Sequence, residues 1–229
     1  MMGEQAKEFG LDLKFIWDFD VEALVDEDRA RCDQEVLPPR SISCVLKHIE
    51  AQKRLIASNN DICLVLEDDA ILGHQFDVKI RDTLALAIEL EGPWLIFLGG
   101  MDNTLDSRFF LDDRLKLIES PLTTAEAYLI NRQGCLARMG WLSNNLICKP
   151  ADHFLKYVDG ELGIAHYRVS TPFVTQGSIT GMFATSLDAS RATKPAWYLA
   201  SRYRWNRFRK QTVLSWMFRI HRRFFGRRT

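Results

Sequence analysis

Apolar residues along the chain fall into two patterns, short continuous runs and amphipathic stretches. Continuous apolar runs at residues 62–66 and 94–98 predict buried β-strands, and the segments at 115–119, 124–130 and 167–174 supply further strand material. Because helical stretches separate these runs, the pattern predicts an α/β fold with a mostly parallel central sheet.

The helical stretches have apolar residues spaced i, i+3, i+4 and i+7. The clearest covers residues 41–58, where Ser41 is placed to act as the N-cap. Others cover residues 75–90 and 131–142, and Pro150 opens a short helix. These helices are expected to cover the faces of the sheet.

The remaining segments have weaker patterns. A short helical pattern starts the chain and is followed at residues 13–18 by a strand-like alternation. Residues 21–39 predict a loop with a helical turn, and residues 176–190 predict a loop rich in Gly, Ser and Thr. We divide the chain into a body at residues 1–199 and a tail at residues 200–229.

A cluster of three acids, Glu67, Asp68 and Asp69, ends the apolar run at 62–66, which then resumes at 70–72. In open α/β sheets, ligands bind at the carboxyl ends of the strands. Like charges there are unfavourable unless a cation neutralises them, and an all-oxygen ligand set suits Mg²⁺ or Mn²⁺. In strand geometry Glu67 and Asp69 point to one side and Asp68 to the other. A helix cap or a solvated turn explains the same spacing equally well.

The neutral net charge of the chain hides an uneven distribution. Residues 200–229 contain ten Lys or Arg and no acid, which leaves 20 basic and 30 acidic residues in the body. Aromatic residues interleave with these cations, a pattern typical of a segment lying on anionic lipid. Each cation contributes roughly 1 kcal/mol at such a surface. The alternative is a terminal helix docked on the acidic body. Nucleic acid is not expected as a partner, because no binding motif accompanies the charge.

The cysteines and the hydropathy of the chain indicate the cellular compartment in which the protein works. The odd number of widely spaced cysteines, without a CxxC pair, argues against a disulfide framework and against a zinc site, and is typical of a reducing compartment. No apolar run reaches 18 residues, and the first 20 residues lack the apolar core of a signal peptide. We therefore expect a cytoplasmic protein at a membrane surface. The cysteines are Cys32, Cys44, Cys63, Cys135 and Cys148.

Several blocks stand in an order that resembles glycosyltransferase family 25, the lipooligosaccharide galactosyltransferase-like enzymes of Gram-negative bacteria. The resemblance runs from about residue 14 to residue 191. Its most specific parts are the Glu-Asp-Asp block and an Ala-Tyr-Leu-Ile-Asn-Arg block. The blocks are Cys44 with His48, Glu67-Asp68-Asp69, residues 123–132, Pro150-Ala151-Asp152, and Thr171-Pro172-Phe173-Val174 with Gln176 and Ser178.

The resemblance implies a GT-A type fold and transfer of a sugar, with inversion, from a nucleotide-sugar donor to a saccharide acceptor. UDP-galactose is the expected donor. Glu67-Asp68-Asp69 stands where the family has its variant of the DxD motif, so Asp69 would ligate Mn²⁺ or Mg²⁺. Glu67 would contact the nucleotide, the metal or a metal-bound water, and Asp68 would help bind the donor. A divalent metal would neutralise the leaving diphosphate as a Lewis acid.

An inverting transfer also needs a general base for the acceptor hydroxyl. Asp152 is the first candidate and Glu126 the second. Asp152 would equally serve at the N-terminus of a helix, whereas for Glu126 the pattern favours a charge on a strand face at the end of the sheet. Tyr128 and Gln176 would line the donor pocket, with core packing and a loop contact as their alternatives. His48 is expected to be a hydrogen-bonded structural residue.

The chain departs from the family at its start, because the usual first strand and Arg-rich stretch are lacking. A missing first strand would leave a sheet edge exposed.

We expect a metal-dependent glycosyltransferase that extends lipopolysaccharide or lipooligosaccharide at the inner face of the cytoplasmic membrane, on a lipid-linked acceptor. One alternative is a shortened, non-catalytic member that binds a glycan or a partner protein. A Mg²⁺-dependent phosphoryl or phosphodiester enzyme is the other, although no P-loop or kinase-type pattern accompanies the acids.

Overall fold

A computed structural model describes residues 2–100, 115–120, 122–180 and 195–209. The chain forms a mixed α/β fold with one five-stranded sheet and one two-stranded sheet. The helices are α1 (Met2–Glu8), α2 (Asp26–Arg29), α3 (Pro39–Ala57), α4 (Phe76–Ala87), α5 (Arg132–Leu142), α6 (Ala151–Leu162), α7 (Gly177–Thr180) and α8 (Ala196–Phe208), with a 3-10 turn at Val21–Ala23. The strands are β1 (Ile62–Leu66), β2 (Ala70–Leu72), β3 (Trp94–Phe97), β4 (Leu117–Glu119), β5 (Ala127–Asn131), β6 (Ala165–Val169) and β7 (Val174–Gln176).

The large sheet has the strand order β1-β5-β3-β6-β4 and is mostly antiparallel. Among the described strands, β3 and β6 form the one parallel pair, while β1–β5, β5–β3 and β6–β4 run antiparallel. The prediction of a mostly parallel sheet is therefore wrong, although the mixed α/β class is confirmed. A strand that helices cover on both faces is apolar throughout whichever way it runs, so the apolar pattern does not encode direction.

Two apolar layers cover the two faces of the large sheet. Residues alternate along the central strands, so Leu95 and Tyr128 face one layer while Ile96 and Leu129 face the other. Helices α3, α5 and α6 form the first layer; α1, α4 and the small sheet of β2 and β7 form the second. Each fully buried Leu or Ile contributes roughly 1.5–3 kcal/mol, so this burial fixes β1 and β5 against α3.

Three local predictions are wrong. Residues 13–18 form no strand; Phe15 and Trp17 stack on each other in an exposed segment, with 5.4 Å between ring centroids. An alternating sequence becomes a strand only where a neighbouring strand pairs with it. Ser41 lies inside α3, whose N-cap is Pro38, with Pro39 at the first helical position. Residues 177–180 form α7 instead of loop, and residues 181–190 of that predicted loop lie outside the described part.

Arg132, at the start of α5, holds the end of α3 against the start of β1. Its guanidinium donates to the carbonyls of Ile56 at 2.8 Å, Asn60 at 3.1 Å and Ser58, and its amide donates to the Asp61 carbonyl at 2.7 Å. The last carbonyls of a helix lack internal partners and carry partial negative charge, which makes them good acceptors for a cation. The turn between α3 and β1 is thereby fixed.

Helix α8 runs across the predicted boundary at residue 200 and lies against α7. Trp197 and Trp205 on α8 are exposed, whereas Tyr203 is buried. Residues 210–229, which contain most of the predicted basic segment, lie outside the described residues. Within the described ranges, no helix is both long and apolar enough to cross a membrane. The predicted contact of the tail with anionic lipid stays a prediction.

Candidate functional site

The chain turns sharply after β1, and this turn carries the three acids. The amide of Ala70 donates to the Glu67 carbonyl at 3.1 Å, which closes the turn. The Glu67 amide donates to the Glu126 carbonyl at 2.9 Å, and the Gly177 amide donates to the Asp69 carbonyl at 2.8 Å. The end of β1, the approach to β5 and the start of α7 therefore meet at one place.

Two of the three consecutive acids face the interior of this meeting point. Glu67 and Asp69 are half-buried, whereas Asp68 is exposed. Asp69 Oδ2 accepts a hydrogen bond from the Ser178 amide at 3.2 Å, and Glu67 Oε2 accepts one from Gln176 Nε2 at 3.5 Å. Asp69 Oδ1 is buried and has no hydrogen-bond partner within the described part of the chain. A buried carboxylate oxygen without a partner is costly, so this position favours a ligand.

Glu126 adds a buried carboxylate to the half-buried Glu67 and Asp69, and we call these three residues the carboxylate cluster. The Glu126 side chain is 5% exposed and accepts a hydrogen bond from the Gly100 amide. Gly99 gives it room, because a Cβ there would collide with the carboxylate. Burial, and then the charges of Glu67 and Asp69, raise the pKa of Glu126 to about 7, while backbone hydrogen bonds partly oppose the shift.

Asp69 is shifted in the same direction as Glu126. Burial and the charge of Glu67 raise the pKa of Asp69, and hydrogen bonds from Ser178 oppose the change. The main causes of the shifts of Asp69 and Glu126 are burial, neighbouring carboxylates and hydrogen bonds. Carboxylates whose pKa values are raised by burial and by one another are characteristic of functional sites.

Helix α3 brings two further polar side chains to Glu67. Cys44 and His48 lie one turn apart on α3, so they share the face that packs on β1. His48 Nε2 is 3.5 Å from Glu67 Oε1, and Cys44 Sγ is 4.0 Å from the same oxygen. His48 Nδ1 is 2.9 Å from the hydroxyl of Tyr128. Burial alone would lower the pKa of His48, but Tyr128, Cys44 and Glu67 together raise it well above its ordinary value.

The structure therefore brings together most of the residues singled out in the sequence. Gln176 contacts Glu67, whereas Tyr128 is fully buried in the core and contacts His48. His48 is buried and hydrogen-bonded, as predicted for a structural residue. The link from Cys44 and His48 to Glu67 was missed. The i, i+4 spacing of the two residues on a helix that leads into the acidic strand is the signal that could have indicated it.

Asp152, the first candidate for the base, lies elsewhere. It occupies the first turn of α6, and its Oδ1 accepts a hydrogen bond from the His153 amide at 2.8 Å. Among the described residues, no hydrogen bond or ion pair joins Asp152 to the carboxylate cluster. An acid in the first turn of a helix interacts favourably with the helix dipole, which is the structural role considered for it.

Comparison with known proteins adds no relative: no family model matches the chain, and no curated protein matches it at a significant level. The resemblance to glycosyltransferase family 25 therefore depends on the sequence blocks quoted above. Arguments about function depend on those blocks and on the geometry of the carboxylate cluster.

Proposed function

We propose that the protein is a metal-dependent glycosyltransferase of GT-A-like fold. It would take a sugar from a nucleotide-sugar donor, UDP-galactose by resemblance, and transfer it with inversion to a saccharide of lipopolysaccharide or lipooligosaccharide. The observation that carries the proposal is the convergence of three buried or half-buried carboxylates where β1 ends, with Asp69 Oδ1 unpaired among the described residues. Sugar transfer needs a cation and a base at one place, and this cluster can supply both functions.

The donor half of the site consists of Asp69 and Glu67. The unpaired Asp69 Oδ1 and the Glu67 carboxylate are hard oxygen ligands that suit Mn²⁺ or Mg²⁺. A bound divalent ion supplies Lewis-acid stabilisation of the leaving diphosphate. Ser178 and Gln176 hold the two carboxylates in place through their hydrogen bonds. Asp68, which is exposed, is free to reach the nucleotide from the solvent side.

The acceptor half of the site depends on Glu126. Its pKa of about 7 lies near neutral pH, where a general base works best, and the Gly100 amide orients its carboxylate. Glu126 would take the proton from the acceptor hydroxyl as that oxygen attacks the sugar. We therefore prefer Glu126 to Asp152 as the base and assign Asp152 to the start of α6.

The place of action proposed is the inner face of the cytoplasmic membrane, where a lipid-linked acceptor is presented. The exposed Trp197 and Trp205 on α8 support this, together with the Arg residues interleaved between them, because such a surface suits anionic lipid. Deletion of residues 200–229 should move the protein from the membrane fraction to the supernatant. Unchanged partitioning would contradict membrane association and leave the transfer reaction untouched.

The donor site is tested by calorimetric titration of UDP with and without Mn²⁺. Wild type should bind UDP in a metal-dependent way, and Asp69→Asn should weaken binding roughly tenfold or more, which corresponds to at least about 1.4 kcal/mol. Asp152→Asn is the matched control and should bind as wild type does. Absence of UDP binding in wild type would reject the donor site. It would favour a non-catalytic member that binds a glycan or partner, consistent with β1 lying at an edge of the described sheet.

The base is tested by transfer from UDP-galactose to lipooligosaccharide. Loss of a general base lowers turnover by about 10²–10⁴-fold, so Glu126→Gln should show this loss while it retains UDP binding. Asp152→Asn should keep its turnover. The reverse result, an inactive Asp152→Asn and an active Glu126→Gln, would return the role of base to Asp152.

A further inference from the structure

We propose that Cys44, His48 and Glu67 bind one Zn²⁺ ion, at a position separate from the Mn²⁺ or Mg²⁺ position of the donor site. One ligand atom of each residue, the Cys44 Sγ, a ring nitrogen of His48 and a carboxylate oxygen of Glu67, lies within 4.8 Å of the other two. Two ligands come from consecutive turns of α3 and the third from the end of β1, which packs against that helix. The inference does not depend on the proposed transfer reaction.

The distances within this group suit a tetrahedral ion. Zinc binds nitrogen or oxygen at about 2.0–2.2 Å and sulfur at about 2.3 Å, which places tetrahedral ligands roughly 3.3–3.8 Å apart. Glu67 Oε1 is 3.5 Å from His48 Nε2 and 4.0 Å from Cys44 Sγ. Small side-chain movements would therefore close the group around an ion. Three protein ligands leave a fourth position for water or substrate, as in catalytic zinc sites.

The contact between Tyr128 and His48 supports the role of His48 as a zinc ligand. The Tyr128 hydroxyl lies 2.9 Å from His48 Nδ1, and the two rings stack with 5.7 Å between centroids. Zinc-binding histidines almost always have their second nitrogen hydrogen-bonded, which fixes the tautomer and the ring orientation. Binding of an ion by Nε2, which lies 3.5 Å from Glu67 Oε1, would require the remaining ring proton on Nδ1, where the Tyr128 hydroxyl can accept it.

The chemistry of the ligands selects zinc over the hard cations. A thiolate and an imidazole are poor ligands for Mg²⁺ or Mn²⁺ but good ligands for Zn²⁺. The charges of a Cys44 thiolate and the Glu67 carboxylate would balance the ion, so a partly buried site would be neutral. The two oxygens of Glu67 are divided between two neighbours: Oε1 faces Cys44 and His48, while Oε2 faces Gln176. The sequence argument against zinc considered CxxC pairs, and these ligands become neighbours only when α3 packs on β1.

The first test is a titration of the full-length protein with Co²⁺ alone, which reports a thiolate ligand through its charge-transfer absorption. Wild type should give this absorption with one equivalent of Co²⁺, and Zn²⁺ should displace it. Cys44→Ser should abolish it, and His48→Gln should weaken Co²⁺ binding at least about tenfold. Cys148→Ser and His153→Gln are matched controls outside the cluster and should behave as wild type. Absence of the absorption in wild type, or its persistence in Cys44→Ser, would overturn the proposal.

A second test needs no variant, so it holds even where a substitution prevents folding. Wild-type protein is alkylated with and without Zn²⁺, and modification of each cysteine is followed by mass spectrometry. Zn²⁺ should slow the modification of Cys44 but leave that of Cys148 unchanged. Equal rates for Cys44 with and without Zn²⁺ would overturn the site.

Asp69→Asn separates this inference from the proposed function. It should lose Mn²⁺-dependent UDP binding and keep the Co²⁺ absorption, because Asp69 is not a ligand of the zinc position. A wild-type protein that gives the absorption but does not bind UDP supports the zinc site and rejects the donor site. A protein that binds UDP with Mn²⁺ but gives no thiolate absorption rejects the zinc site alone.

Discussion

In the described part of the chain, two groups of buried or half-buried ionisable side chains differ in how their charges are balanced. In the carboxylate cluster, like charges lie together. In the second group Arg138 Nε donates to Asp159 Oδ1 at 2.6 Å, while a second Arg138 nitrogen and His166 Nε2 both contact Asp159 Oδ2. Burial alone would raise the pKa of Asp159, but Arg138 and His166 hold it below the ordinary value.

This difference in charge balance suggests that the paired group stabilises the fold, whereas the carboxylate cluster favours binding of a cation. Arg138, Asp159 and His166 join α5, α6 and β6, and each charge has its partner inside the protein. In the carboxylate cluster His48 contacts Glu67 at 3.5 Å, yet burial and repulsion still raise the pKa values of Asp69 and Glu126. A bound cation would relieve that repulsion. Paired buried charges need their partners to stay buried, whereas unpaired like charges favour binding.

The largest effect is expected from breaking the paired group. Arg138→Met would leave the buried Asp159 carboxylate without its guanidinium partner, which costs about 3–5 kcal/mol of unfolding free energy. Urea unfolding measures the loss. Arg81→Met, which breaks an exposed ion pair with Asp77, is the control and should cost less than about 1 kcal/mol. Similar losses in the two variants would show that burial does not distinguish these pairs.

In the carboxylate cluster we expect a smaller change of opposite sign, a gain in the free energy of unfolding. The pKa of Glu126 is raised from 4.5 to about 7 in the folded protein, so its stability contribution is present below pH 4.5 and is lost as the pH rises through 7. Without added metal, Glu126→Gln should therefore be more stable than wild type by up to about 3 kcal/mol at pH 8. Most of that advantage should vanish at pH 5. A stability difference that does not change between urea unfolding at pH 5 and at pH 8 would contradict the raised pKa.

The smallest effect is expected from Tyr128, which links His48 to the core. Tyr128→Phe would leave the buried His48 Nδ1 without its hydrogen bond, which costs about 1–2 kcal/mol of unfolding free energy. If His48 is a zinc ligand, the same variant should also bind Co²⁺ roughly tenfold more weakly. Tyr157→Phe, on an exposed part of α6, is the control for both measurements. A loss of stability with unchanged Co²⁺ affinity would make Tyr128 a purely structural partner.

The sequence predicted individual elements better than their arrangement. The apolar runs at β3 and β5 became the buried central strands, the run at β1 became an edge strand, and helix α3 follows its apolar spacing closely. Strand direction could not be predicted, because an apolar run carries no information about which way it crosses the sheet. The segment at 13–18 failed for a related reason, since its alternating pattern has no neighbouring strand to pair with.

The same limit explains what could be predicted of the site. Glu67 and Asp69 were identifiable because they belong to three consecutive acids at the end of an apolar run. Glu126 was only a second candidate, because its burial against Gly99 and Gly100 is a tertiary fact. The meeting of Cys44 with Glu67 joins residues 23 positions apart and depends on how α3 lies on β1.

Arg132 fixes one end of helix α3, whereas Cys44 and His48 lie nearer to its other end. Its guanidinium donates to the Ile56 carbonyl. From Ile56, His48 and Cys44 lie about 12 Å and 18 Å along the helix axis at 1.5 Å per residue. A tilt of the helix by roughly 3° about Ile56 would displace Cys44 by about 0.9 Å and His48 by about 0.6 Å. Metal sites tolerate errors of about 0.2 Å in ligand distance. If Cys44 and His48 bind an ion as proposed, their distances to that ion depend in part on how firmly Arg132 fixes the other end of α3.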